Sequence, residues 1–91
     1  MRLKSKEVSI IKQTLGTIFD DVTIYLFGSR LDDEKKGGDI DLFVIAKNAT
    51  FSNKIKALAK LQRELHKPVD IVLHKDFSRT IEQEALKGVK I

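Results

Sequence analysis

Asp39 and Asp41 stand one residue apart in Asp39-Ile40-Asp41-Leu42, a segment that otherwise reads as a β-strand. Side chains of a strand alternate between its faces, so both carboxylates point the same way. Like charges held side by side repel, and a cation between them removes the conflict. Upstream, Phe27-Gly28-Ser29-Arg30 closes another apolar strand. A glycine and a serine there can offer backbone N–H groups and a hydroxyl to a phosphate. Asp70 sits in a third apolar stretch, Val69-Asp70-Ile71-Val72-Leu73, which reads as a short buried strand. A buried acid is costly unless it is paired, hydrogen-bonded or metal-bound. If that strand lies beside the Asp39/Asp41 strand, three carboxylates converge on one face. Such a set can hold Mg²⁺ and align or deprotonate an attacking hydroxyl, which is metal-assisted chemistry on a nucleotide.

In order, Gly28-Ser29, Asp39-x-Asp41 and Asp70 in a later apolar strand resemble the signature of the DNA polymerase beta-like nucleotidyltransferases. The small size resembles their shortest branch, the minimal nucleotidyltransferases. The likeness spans about residues 23 to 73, with helical flanks to match. It departs at Gly38, where many relatives have a small hydroxyl residue, and in the short charged loop from Arg30 to Gly38. Neither departure removes a catalytic group.

The resemblance implies transfer of a nucleoside monophosphate, AMP from ATP, to a hydroxyl, with release of pyrophosphate. It implies two Mg²⁺ held by Asp39 and Asp41, with Asp41 bridging and Asp70 joining the metal that activates the hydroxyl. Gly28 and Ser29 would hold the β- and γ-phosphates. Arg30 would bind phosphate or pair with Asp32, Asp33 or Asp41. Stand-alone relatives are often paired with a helical HEPN-type protein, the nucleotidyltransferase serving as antitoxin to an RNase toxin. The acceptor is then expected to be a tyrosine hydroxyl on that partner. Two other readings stay open: an antitoxin that acts by binding alone, and a nucleotidyltransferase for small molecules such as aminoglycosides.

The elements around these residues are legible from their periodicity. Val8, Ile11, Leu15 and Ile18 have helical spacing and predict a helix over 5–19. Asp20-Asp21 starts a turn, and Val22 to Phe27 is β-branched and aromatic, hence a strand. Ser29 is placed as the cap of a short helix to about Asp33, and Lys36-Gly37-Gly38 as a turn before a strand over 39–46. Phe51, Ile55, Leu58, Gln62 and Leu65 predict an amphipathic helix ending near His66, stopped by Pro68. Asp76 or Ser78 would cap a last helix over Thr80–Lys87, with Gly88 as its stop. The fold class is α/β in element order, or α+β: a small sheet packed against helices. The resemblance implies that the sheet is mixed, with three or four strands.

Ninety-one residues allow a single domain over 1–91, with no second domain to bind an acceptor. The acceptor must come from a partner protein or from a second copy of the chain. No apolar run is long enough to span a membrane, and Met1-Arg2-Leu3-Lys4-Ser5-Lys6-Glu7 lacks a signal core. With no cysteine there is no disulfide framework, so a cytoplasmic protein is expected. The net charge of +4 favours anionic ligands, but Lys and Arg are spread along the chain rather than clustered. Lys54, Lys56, Lys60, Arg63 and Lys67 read as the wet face of a helix, and without an aromatic platform nucleic acid is not the expected partner. His66 and His74 read as surface residues, and Tyr25 as packing.

Overall fold

The computed structural model describes residues 3–28 and 40–91. Its elements run α1 (Ser5–Ile18), β1 (Thr23–Phe27), β2 (Ile40–Ile45), α2 (Phe51–Leu65), β3 (Val69–Leu73), α3 (Thr80–Leu86) and β4 (Val89–Lys90). The strands form one mixed sheet in the order β3-β2-β1-β4. β1 is antiparallel to both β2 and β4, and β2 is parallel to β3. The expected mixed sheet packed against helices is therefore what the chain forms. The short helix expected after Ser29 and the Lys36-Gly37-Gly38 turn lie outside the described residues.

Alternation along the strands sorts the two faces. Ile24 and Leu26 of β1, Leu42 and Val44 of β2 and Ile71 of β3 bury against Ile11 and Leu15 of α1 and Ala57 and Leu61 of α2. The opposite face carries Tyr25 and Phe43, whose rings pack 6.2 Å apart, and α3 covers it over β1 and β2. The result is three layers, with α1 and α2 on one side of the sheet and α3 on the other.

Local chemistry fixes the element ends. The Lys4 N–H donates to Glu7 Oε1 at 3.1 Å, satisfying a free donor at the start of α1. Glu7 Oε2 also holds Lys67 Nζ at 2.7 Å, tying that start to the turn before β3. Thr50 caps α2 by accepting from the Asn53 N–H. His66 ends α2 in the left-handed region (φ 56°), and Pro68 follows. None of the helices in the described residues is long and apolar enough to cross a membrane.

The stripe expected on α2 needs correction. Phe51 and Ile55 are 72% and 47% exposed, and the buried residues are Ala57, Leu61 and Leu65. The first turn of α2 overhangs the outer edge of β3, so its apolar side chains find no layer beneath them. β4 is a strand that periodicity does not reveal, because its two residues carry no alternation.

Candidate active site

β1 ends where β2 and β3 begin, so one end of the sheet gathers the last residues of one strand and the first of two others. Phe27 lies opposite Asp41 across the β1–β2 pair, and Asp41 lies opposite Asp70 across the β2–β3 pair. Register partners on neighbouring strands project from the same face. Asp41 and Asp70 thus stand side by side on the α3 side of the sheet, beyond the part that α3 covers. Asp41 is half-buried and Asp70 exposed.

Gly28 completes this corner. It adopts φ +81°, which an L side chain adopts only with strain, and a Cβ there would run into the Asp41 carboxylate, with Asp41 Cγ only 3.2 Å away. The chain therefore turns out of β1 directly against Asp41, and only a glycine leaves room for that carboxylate. Gly28, Asp41 and Asp70 are brought together. Ser29, Arg30 and Asp39, the other candidates, lie outside the described residues.

The surroundings of Asp70 differ from the sequence reading. The strand is not buried on both faces: Val69 and Ile71 face the core, while Asp70 is open to solvent, α3 lying mainly over β1 and β2. Its Oδ1 accepts the N–H of Ile71 at 3.0 Å. Lys67, one possible ion-pair partner for it, is held by Glu7 instead. The Lys75 side chain makes no ion pair among the described residues.

At the other end of β3 from Asp70 lies a buried group that periodicity does not reveal. Glu82 of α3 is fully buried. Burial alone would push its carboxyl up. A hydrogen bond from His74 Nδ1 (2.6 Å) and the N–H groups of Asp76 (2.9 Å) and Lys75 (2.8 Å) outweigh this and bring it down to about 2. Arg79 adds a contact of 3.0 Å to Glu82 Oε2. An ionised carboxylate only accepts, so the His74 proton on this bond sits on Nδ1. His74 is accordingly no simple surface residue: its other face stacks on Phe77 at 4.0 Å. The signal in the sequence was an acid three residues before Ala85, on the buried side of the last helix. Glu82 fixes the loop from β3 to α3 and so fixes where β3 ends.

Carboxylate oxygens with solvent access are the donor type that suits a hard divalent cation. Among the described residues no three His, Cys, Asp or Glu side chains gather around one point. The polymerase beta nucleotidyltransferase family model matches residues 10–91, nearly the whole chain and all four strands. The chain belongs to this family. Membership makes it a nucleotidyltransferase at the level of reaction class, in a family that typically works with divalent metals. No curated protein matches the chain. Gly28 and the acids Asp41 and Asp70, on three successive strands of the matched region, occupy one corner of the sheet.

Proposed function

We propose that the chain is a minimal nucleotidyltransferase. It moves a nucleoside monophosphate, AMP from ATP, onto a hydroxyl and releases pyrophosphate. The observation that supports this reading is the alignment of Asp41 with Asp70, with Gly28 packed against Asp41.

In this reading Asp39 and Asp41 hold Mg²⁺, and Asp70 aligns the attacking hydroxyl and receives its proton. Bound Mg²⁺ supplies neutralisation of phosphate charge. Gly28 brings the backbone close to the triphosphate, with Ser29 and Arg30 beyond it. Phe27, the register partner of Asp41, sets an apolar side chain beside the reacting groups. In this reading the acceptor is a separate molecule. A HEPN-type helical protein is the proposed acceptor, a tyrosine hydroxyl on it the proposed target, and the chain the proposed antitoxin.

The test is intact mass of a co-expressed HEPN-type partner after incubation with ATP and Mg²⁺. The expected result is addition of AMP, lost with Asp39→Asn and with EDTA. Neutralisation of the partner by Asp39→Asn without any added mass would replace this reading with an antitoxin that acts by binding alone.

A further inference from the structure

β3 is an edge strand, and its outer side is only partly closed. The Pro68 carbonyl accepts the Ile40 N–H, and the His74 N–H donates to the Val44 carbonyl, both at 2.9 Å. Even-numbered residues thus face β2, and alternation turns the backbone groups of Val69, Ile71 and Leu73 outward. Side chains meet three of these groups. Gln62 Nε2 reaches the Val69 carbonyl at 3.2 Å, Asp70 takes the Ile71 N–H, and an Arg79 guanidinium nitrogen lies 3.4 Å from the Leu73 carbonyl. Among the described residues no side chain reaches the Ile71 carbonyl or the Leu73 N–H. Both open into a groove of about 300 Å³, walled by Phe51 and Lys54 on one side and by Lys75 and Arg79 on the other.

We infer that this groove takes an extended, acidic segment of a partner protein as an added strand parallel to β3. The open groups fit this direction, in which a single incoming residue meets both of them. In parallel pairing, one incoming residue donates its N–H to the carbonyl before its neighbour and accepts from the N–H after it. Ile71 C=O and Leu73 N–H flank Val72 in this way. Strand addition of this kind draws affinity from the main chain and specificity from alternate side chains.

Charge sets the composition. The side chains of Lys54 and Lys75 make no ion pair among the described residues, and the first turn of α2 carries no acid. Helix start and lysines together favour carboxylates. A second copy of this chain fits poorly. Pairing of β3 with itself across a twofold axis is antiparallel, and it would face these cations with their own copies.

The inference deepens the transferase reading by naming the form of the acceptor, and rests on that reading for this part alone. The incoming residue two before the one opposite Val72 lies beside Asp70 on the same face. A hydroxyl there is placed for transfer. Its oxygen bonds to the α-phosphorus of the nucleoside triphosphate, the bond from that phosphorus to the bridging oxygen breaks, and pyrophosphate leaves. The hydroxyl proton passes through Asp70 to water.

The experiment titrates the ¹⁵N-labelled chain, without nucleotide or metal, with a peptide of alternating Glu and Val around a central Tyr. The Leu73 amide is expected to shift most and to exchange more slowly with solvent, and a Lys-for-Glu version of the peptide is expected to leave it unmoved. Leu73→Pro removes an N–H that the β2 ladder does not use, and Lys54→Glu with Lys75→Glu reverses the charge. Each is expected to weaken binding about tenfold. If Leu73→Pro does not fold, the lysine variant and amide exchange carry the test. Absence of peptide binding, shifts elsewhere than β3, or equal binding of the Lys peptide overturns the inference. Bound peptide that gains no mass with ATP and Mg²⁺ leaves the docking supported and overturns the transferase reading instead.

Discussion

Asp41 and Asp70 are register partners on parallel strands, two like charges directly opposite each other with Gly28 pressed against one of them. A pair of this kind costs the fold about 0.2–1 kcal/mol when nothing bridges it. Asp70→Asn keeps the acceptor for the Ile71 N–H and removes one charge. Its stability is expected to stay within about 1 kcal/mol of the parent by thermal melting. Transfer activity is expected to fall about a thousandfold, the size of several kcal/mol of lost transition-state stabilisation.

Divalent cations should read the same pair without any reaction. Mg²⁺ is expected to raise the melting temperature of the parent chain, because a ligand bound only by the folded state stabilises it. The same titration of Asp41→Asn should give a clearly smaller shift. Equal shifts in the two proteins would remove Asp41 from the metal site.

Gly28→Ala is a steric test of the corner. The left-handed backbone and the collision with the Asp41 carboxylate act together, so a loss of about 1–3 kcal/mol is expected in denaturant melts. Activity should fall further than stability alone accounts for, since the Asp41 carboxylate must move. A Gly28→Ala chain with normal activity at low temperature would show that Asp41 tolerates displacement.

Glu82 predicts the acid limb of stability. Its folded pKa of about 2 lies below the ordinary 4.5. Its contribution is therefore complete above pH 4.5 and is lost as pH falls towards 2. Asp76, held low chiefly by the Ser78 N–H, titrates in the same direction. Glu82→Gln is expected to cost on the order of 1–3 kcal/mol at neutral pH and to flatten the pH dependence of unfolding below pH 4.5. Urea melts at a series of pH values measure both.

Asn48 joins three segments. Its Oδ1 accepts the Asp20 N–H at 2.6 Å, its Nδ2 donates to the Ile18 carbonyl at 3.1 Å, and its own carbonyl accepts from Asn53 Nδ2 at 2.9 Å. Asn48→Ala should lower stability by about 1–3 kcal/mol while leaving catalysis at permissive temperature intact, since the clip lies at the far end of the sheet. A large change in activity with little change in stability would contradict that separation.

β1, β2, β3, α1 and the end of α2 could be read from the chain because local pattern decides them: β-branched runs, helical spacing, and Pro68 after His66. What could not be read depends on which layer covers what. Val-Asp-Ile-Val-Leu looks like a buried strand whether or not a helix covers its second face, and α3 lies mainly over β1 and β2, so Asp70 is exposed. Phe51 and Ile55 fit a core stripe by spacing, yet the sheet does not extend beneath them. Glu82 looks like a solvated acid of a short helix. Its partners are backbone N–H groups delivered by a loop six and seven residues earlier. Of the candidate residues, Gly28, Asp41 and Asp70 lie at one corner of the sheet, and Ser29, Arg30 and Asp39 lie outside the described residues. Family membership supplies the reaction class, which the carboxylates alone leave open.

The pairing of β1 with β4 bears on how the protein is made. Val89 and Lys90 lie opposite Leu26 and Tyr25, and the Ile91 N–H donates to the Ile24 carbonyl at 3.0 Å. A ribosome releases β1 and β2 long before it reaches those residues. At ordinary elongation rates the interval is several seconds. Throughout it, one flank of β1 has no neighbour of its own, and its backbone N–H and C=O groups are open to whatever is nearby. A trigger for chaperone binding, or for nascent-chain aggregation on crowded polysomes, is thus written into the order of the elements.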